Sequence, residues 1–188
     1  MLTFARPKET RMNYSILKDE IARKVIDFYA ANPPVWEQIM HTQAVASYAR
    51  LIATGEGMDE KQVNLHEIAA WLHDIGCPAA RKLYGNSQPV HQQTEGEKLA
   101  VEWLAPIEEL PESEKQWLAK VVGTHHEQHA AHSLHFEPLF EADLIVNLIE
   151  GYYAMEKAPS LYGKIVTTAT GKALFEEIIL NQLPHAHS

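Results

Sequence analysis

Four side chains of this 188-residue chain, His41, His73, Asp74 and Asp143, have the types to hold a cation. His73 and Asp74 are adjacent and end an apolar run, AAWLHDIGC, at positions 69–77. Neighbouring helix positions point about 100° apart, so a shared centre requires a helix end, with Gly76 permitting a sharp turn. The pair also has an ordinary reading, in which the imidazole complements the dipole at a helix C-terminus and the carboxylate caps a turn. Asp143 lies in FEADLIVNLIE, where Asn147 and Glu150 extend its stripe at i+4 and i+7 and leucine, isoleucine and valine fill the rest. A carboxylate buried there needs a cation or several donors. Two imidazoles and two carboxylates without a thiolate suit manganese, iron, cobalt, nickel or zinc, and magnesium also fits. Unlike a closed structural zinc site, such a set leaves room for water or substrate.

The elements that must position these residues read as helices, because apolar residues recur near every 3.6 positions and no convincing run alternates with period two. The first helix is expected over about Tyr14 to Ala31, ending before Asn32-Pro33-Pro34, and the second over about Pro34 to Thr54, carrying His41. Asp59 reads as the N-cap of a third, from about Glu60 to Asp74, closed by Gly76 and Pro78. Further helices are expected from about Val90 to Leu104, from Pro111 to near Thr124, from Pro138 to about Met155 and from Gly163 to Leu180, with loops at 78–90 and 126–137. The expectation is an all-α bundle of about seven helices forming one domain over 1–188. Its core is set at about 35–155, with the terminal helices packing on it.

Composition narrows the function classes. A formal charge of −9 and a pI near 5.6 repel a nucleic-acid duplex or an anionic membrane surface, so the expected partner is a small anion drawn in by local cations or a metal. The single cysteine, Cys77, excludes an intrachain disulfide framework and suits a reducing, cytoplasmic setting. The opening MLTFARPKETRMNYS lacks the apolar core of a secretory signal, and the terminal PHAHS reads as a frayed end rather than a metal-binding tail. The sequence leaves the oligomeric state open.

The order His41, His73-Asp74, Asp143 on successive helices, with WLHDIG at the centre, resembles the HD superfamily of metal-dependent phosphohydrolases over about residues 35–155. The resemblance implies an HD-type helical bundle and hydrolysis of a phosphate ester or anhydride, often of a nucleotide, by metal-activated water. Some members of the family bind one metal and others two. Here the resemblance implies Asp74 bridging, with His41, His73 and Asp143 on the first ion, and His91 and either His125 or His126 on the second. Glu95, one turn after His91, is expected to orient that histidine or a water, and Asn147 could do the same beside Asp143. Arg81 and Lys82, just past the HD turn, are the candidate phosphate contacts. His66, His129, His132 and His135 match no ligand position. Two other classes stay open: a di-iron oxygenase built on the same ligands, and a noncatalytic sensor that keeps the fold.

Overall fold

The computed structural model describes residues 12–183; the PHAHS tail and most of the opening segment, with the readings made of them, lie outside this range. Among the described residues every regular element is helical. In chain order the α-helices are α1 (Tyr14–Ala30), α2 (Val35–Gly55), α3 (Glu60–Leu72), α4 (Cys77–Tyr84), α5 (Pro89–Leu104), α6 (Glu112–Thr124), α7 (Gln128–Leu134), α8 (Glu137–Ile149), α9 (Ala158–Ile165) and α10 (Ala169–Ile178), with short 3-10 turns at Met155–Lys157 and Leu180–Gln182. None of them is long and apolar enough to cross a membrane.

Helix α2 packs on α1, α3 and α8. Its Val45, Ala46, Ala49 and Ile52 join Leu17, Ile21, Val25 and Tyr29 of α1 and Leu65, Ile68, Ala69 and Leu72 of α3 in the main hydrophobic cluster. The four α1 residues recur every fourth position, which places them on one face. Helix α3 opens on the expected Asp59, whose carboxylate accepts from Gln62 N–H while the Gln62 side chain answers to Asp59 N–H. Helix α8 belongs to two clusters. Leu139, Ala142 and Val146 enter the main one, whereas Leu144, Ile145 and Leu148 meet Ala158, Val166, Phe175 and Ile179 in a second. That double burial is why α8 is apolar almost all round, and it leaves Asp143 enclosed at 7% exposure.

The expectation of about seven helices falls short in three places. The stretches expected as loops contain α4 and α7, and Pro78 opens α4 instead of closing α3, since the first turn of a helix has no N–H bond to lose. The helix expected to reach Met155 stops at Ile149, where Gly151 adopts φ 78° and Tyr152 N–H returns to Asn147 O at 2.9 Å. The single last helix is two, α9 and α10. The break follows from Glu141, 1% exposed on α8, which accepts Thr167 N–H at 2.6 Å, Thr168 N–H at 2.9 Å and both threonine hydroxyls. A buried carboxylate satisfied by backbone donors forces those residues out of a continuous helix. Gly171 leaves the room, since a Cβ there would lie 1.9 Å from Glu141 Oε2.

Candidate metal centre

His41 comes from the buried face of α2, His73 from the residue that caps α3, Asp74 from the turn after it and Asp143 from α8. His41 Nε2 lies 3.3 Å from His73 Nε2, 3.3 Å from Asp143 Oδ1 and 3.6 Å from Asp74 Oδ2. His73 Nε2 lies 3.6 Å from Asp74 Oδ2 and 3.7 Å from Asp143 Oδ1. Four ligands held tetrahedrally at about 2.0–2.2 Å from an ion would stand about 3.3–3.6 Å from one another. The separations of the two imidazoles from each other and from the carboxylates, 3.3–3.7 Å, lie at or just beyond that spacing, and His41, His73 and Asp143 offer atoms within 4.8 Å of one another, so the donor set fits one divalent ion.

The far side of each ring is held in the manner usual for ligating histidines. His73 Nδ1–H donates to Ala70 O at 2.6 Å, His125 Nδ1–H to Val122 O at 2.8 Å and His41 Nδ1–H to Glu150 Oε2 at 2.9 Å. Because a carbonyl only accepts, Nε2 of the neutral His73 ring carries the inward-facing lone pair, whereas Asp74 favours a proton on His125 against the cost of burial, a proton that a metal ion would replace. Burial disfavours the His41 imidazolium, yet Asp143, Asp74 and Glu150 outweigh it and raise its pKa to about 9. Burial pushes the His73 pKa down. Asp74 and Asp143 titrate below the usual carboxylate range, since the surrounding imidazoles overcome the cost of burial. Two ionised carboxylates in a desolvated site demand positive charge, which a divalent ion supplies.

A second group, Asp74, His125 and His126, also has ligand atoms within 4.8 Å of one another. His125 Nε2 is buried, 3.5 Å from Asp74 Oδ1, and has no hydrogen-bond partner among the described residues. His126 is engaged differently. The Cys77 thiol donates to Gln92 Oε1 at 2.7 Å, which turns the amide N–H toward His126 Nε2, also at 2.7 Å. That bond occupies one ring nitrogen of His126, and burial beside His125 depresses its pKa to about 4. Asp74 faces both groups, so it is the residue able to bridge.

Of the residues singled out in the sequence, the structure gathers His41, His73, Asp74, His125, His126 and Asp143, and does not bring His91, Glu95 or Lys82 to them. His91 stacks on Tyr84, with ring centroids 4.1 Å apart, and bonds Asn86 Oδ1 at 2.9 Å. Glu95 accepts from Tyr84 Oη at 3.1 Å and Lys98 Nζ at 2.8 Å. Lys82 is exposed on α4, whereas Arg81, one position earlier, enters the cavity above the cluster. This cavity, of ≈ 320 Å³, has His41, Asp74 and Asp143 in its lining and carries Gln38, Glu37 and Tyr152 around them. A larger one, ≈ 800 Å³, opens between the start of α1 and the start of α3, and no histidine lines it among the described residues. His66 is structural: its ring nitrogens meet Gln62 O and His135 O at 2.9 and 3.0 Å.

The HD turn itself differs from the expected sharp bend. His73 keeps helical dihedrals, φ −54° and ψ −41°, and Gly76 is also right-handed, φ −75° and ψ −19°. Gly76 is required by proximity rather than conformation. A Cβ on it would stand 2.0 Å from Gln92 O and 2.5 Å from Gly96 N of α5. Sequence reasoning passed over Gln38, Gln92 and the tyrosines 152 and 153. The signal for Gln92 was available, because it shares the period of Gly96, Ala100 and Trp103 on the buried face of α5.

A chain with this helical order and this histidine and aspartate cluster belongs to the HD domain family, whose model matches residues 39–169. Among solved structures, it is similar to a predicted HD superfamily hydrolase from an uncultured Thermotogales bacterium. The two are 24% identical over 88% of this chain and 90% of that one, with a TM-score of 0.60. No curated protein matches it.

Proposed function

We propose that this protein is a metal-dependent phosphohydrolase acting on a small phosphorylated metabolite, with a nucleotide as the leading candidate. The observation that carries the reading is the convergence of His41, His73, Asp74 and Asp143 at the spacing of one ion's ligands, beneath a cavity that also holds Arg81. A divalent ion of the transition series, or magnesium, would polarise a phosphoryl oxygen and acidify a water. His41 and His73 present imidazole nitrogens, fixed from behind by Glu150 and Ala70 O. Asp74, facing both groups, would hold one ion or bridge two, and Arg81 would hold the phosphate. The acidic chain favours a small anion over long nucleic acid as partner, and the lone cysteine, Cys77, fits a cytoplasmic setting.

The test is phosphate release from a panel of phosphorylated metabolites with Mn²⁺, Co²⁺, Fe²⁺ or Mg²⁺, alongside metal content and circular dichroism. Wild type should release phosphate only when loaded. Asp74→Ala and His73→Ala should lose bound metal and at least about 100-fold in rate, more than removal of an outer hydrogen-bond partner costs, while keeping their helical spectra. Full activity in metal-depleted Asp74→Ala would overturn the mechanism. Oxygen consumption with reduced iron and no phosphate release would favour oxygenase chemistry at the same ligands, and ligand binding without turnover would favour a sensor.

A further inference from the structure

Resting on the phosphohydrolase reading, we infer from the cavity that the substrate carries a single phosphate group, esterified to a flat, uncharged partner. Arg81, Tyr152 and Tyr153 select it. Among the described residues, Arg81 is the one lysine or arginine in the lining, where Glu37 also stands. With one ion balancing Asp74 and Asp143, Arg81 and Glu37 cancel, so the described lining keeps no further charge with which to hold a chain of phosphates. Each added phosphate would bring about one more negative charge into a site whose remaining rim charge is Glu37. Arg81 itself is free to meet one phosphate. Its guanidinium is positioned by the neutral amide of Gln38, Nη2 to Oε1 at 2.7 Å, and among the described residues it forms no ion pair.

The other end of the substrate is argued from the rim. Gly151, at φ 78°, turns the chain back after α8, and Tyr152 N–H is fixed to Asn147 O at 2.9 Å. This backbone holds two consecutive tyrosines at the cavity, beside Pro34. Tyr152 is 70% exposed and sits edge-on over the His41 ring at 6.5 Å. A large aromatic displayed at a cavity mouth gains burial when a planar group stacks on it. The cavity of ≈ 320 Å³ lies at the small end of ligand sites, which suits one ring system and one phosphate. The reaction is R–O–PO₃²⁻ plus water giving R–OH and inorganic phosphate: water adds to phosphorus, the ester P–O bond breaks and the leaving oxygen takes a proton.

The test compares adenosine 5′-mono-, di- and triphosphate with glycerol phosphate in the Mn²⁺-loaded protein, and measures displacement by orthophosphate, pyrophosphate and tripolyphosphate calorimetrically. The monophosphate should exceed the triphosphate in kcat/KM by about 10-fold or more, and orthophosphate should bind at least as tightly as tripolyphosphate. Tyr152→Ala should raise KM about 10-fold for adenosine monophosphate and leave glycerol phosphate unchanged, as loss of one stacking partner predicts. Arg81→Gln should raise KM for both monophosphates with metal content unchanged. Equal or better use of the triphosphate, or an unaltered KM in Arg81→Gln, would overturn the inference while leaving the hydrolase intact. If no compound releases phosphate the hydrolase reading fails, and tighter binding of tripolyphosphate would then refute the single-phosphate preference independently.

Discussion

His91 and Gln92 are neighbours whose side chains leave α5 on different faces. The stripe of His91, Glu95, Lys98 and Glu102 is solvent-facing to varying degree, whereas Gln92, Gly96, Ala100 and Trp103 are buried. Accordingly His91→Ala should leave metal content unchanged by elemental analysis, and loss of an ion would restore His91 as a ligand. Gly76→Ala makes a harsher test, since its Cβ would press on backbone of α5. Overpacking against atoms that cannot rotate away should cost about 3 kcal/mol, read as a lower urea midpoint with the same slope. The order of His41, His73-Asp74 and Asp143 was legible through its resemblance to the HD signature, since the pair at the helix end alone also has an ordinary structural reading. His91 is assigned from the family resemblance, which does not say which face of α5 meets the HD turn; in the structure its ring stacks on Tyr84 instead of joining the cluster.

The start of α10 is anchored by two acids, one on α8 and one just past α2. Glu141 of α8 takes Thr167 and Thr168, and Glu56, just past α2, accepts Thr170 N–H at 2.7 Å. Truncation by Glu141→Ala should destabilise the protein by about 3 kcal/mol, since buried donors lose their acceptor, and chemical denaturation measures it. Glu56 gives a pH signature. Its hydrogen bond from Thr170 N–H lowers its pKa below the ordinary value near 4.5, so the contribution is complete above that value and fades as pH falls through the lower, folded-state pKa. Glu56→Gln should flatten this acid limb of a stability profile measured by thermal melts. The long amphipathic helices were readable from periodicity, but α4 and α7 span only 8 and 7 residues, too few turns for the pattern to stand out. The α9–α10 break was hidden because its cause, Glu141, lies 26 positions away from Thr167.

On the scale of the molecule, an ion at the cluster would draw its ligands from α2, the α3 end and α8, which do not converge in an unfolded chain. Binding should therefore stabilise the fold by mass action: at 100 times the dissociation constant, about 2.7 kcal/mol. For a chain of this size that is a rise in melting temperature of roughly 5–10 °C, measurable by calorimetry with and without Mn²⁺ and absent in Asp74→Ala. The double membership of α8 has a dynamic consequence. The outer cluster of α9 and α10 rests on the face of α8 that carries Leu144, Ile145 and Leu148, while Asp143 is committed to the other helices. Amide hydrogens of α10 should thus exchange through a partial opening that spares the cluster at Asp143, and those of α2, α3 and α8 only through a larger one. Loading the ion would widen the gap between the two protection levels, leaving the C-terminal helices as the region of the molecule that yields first.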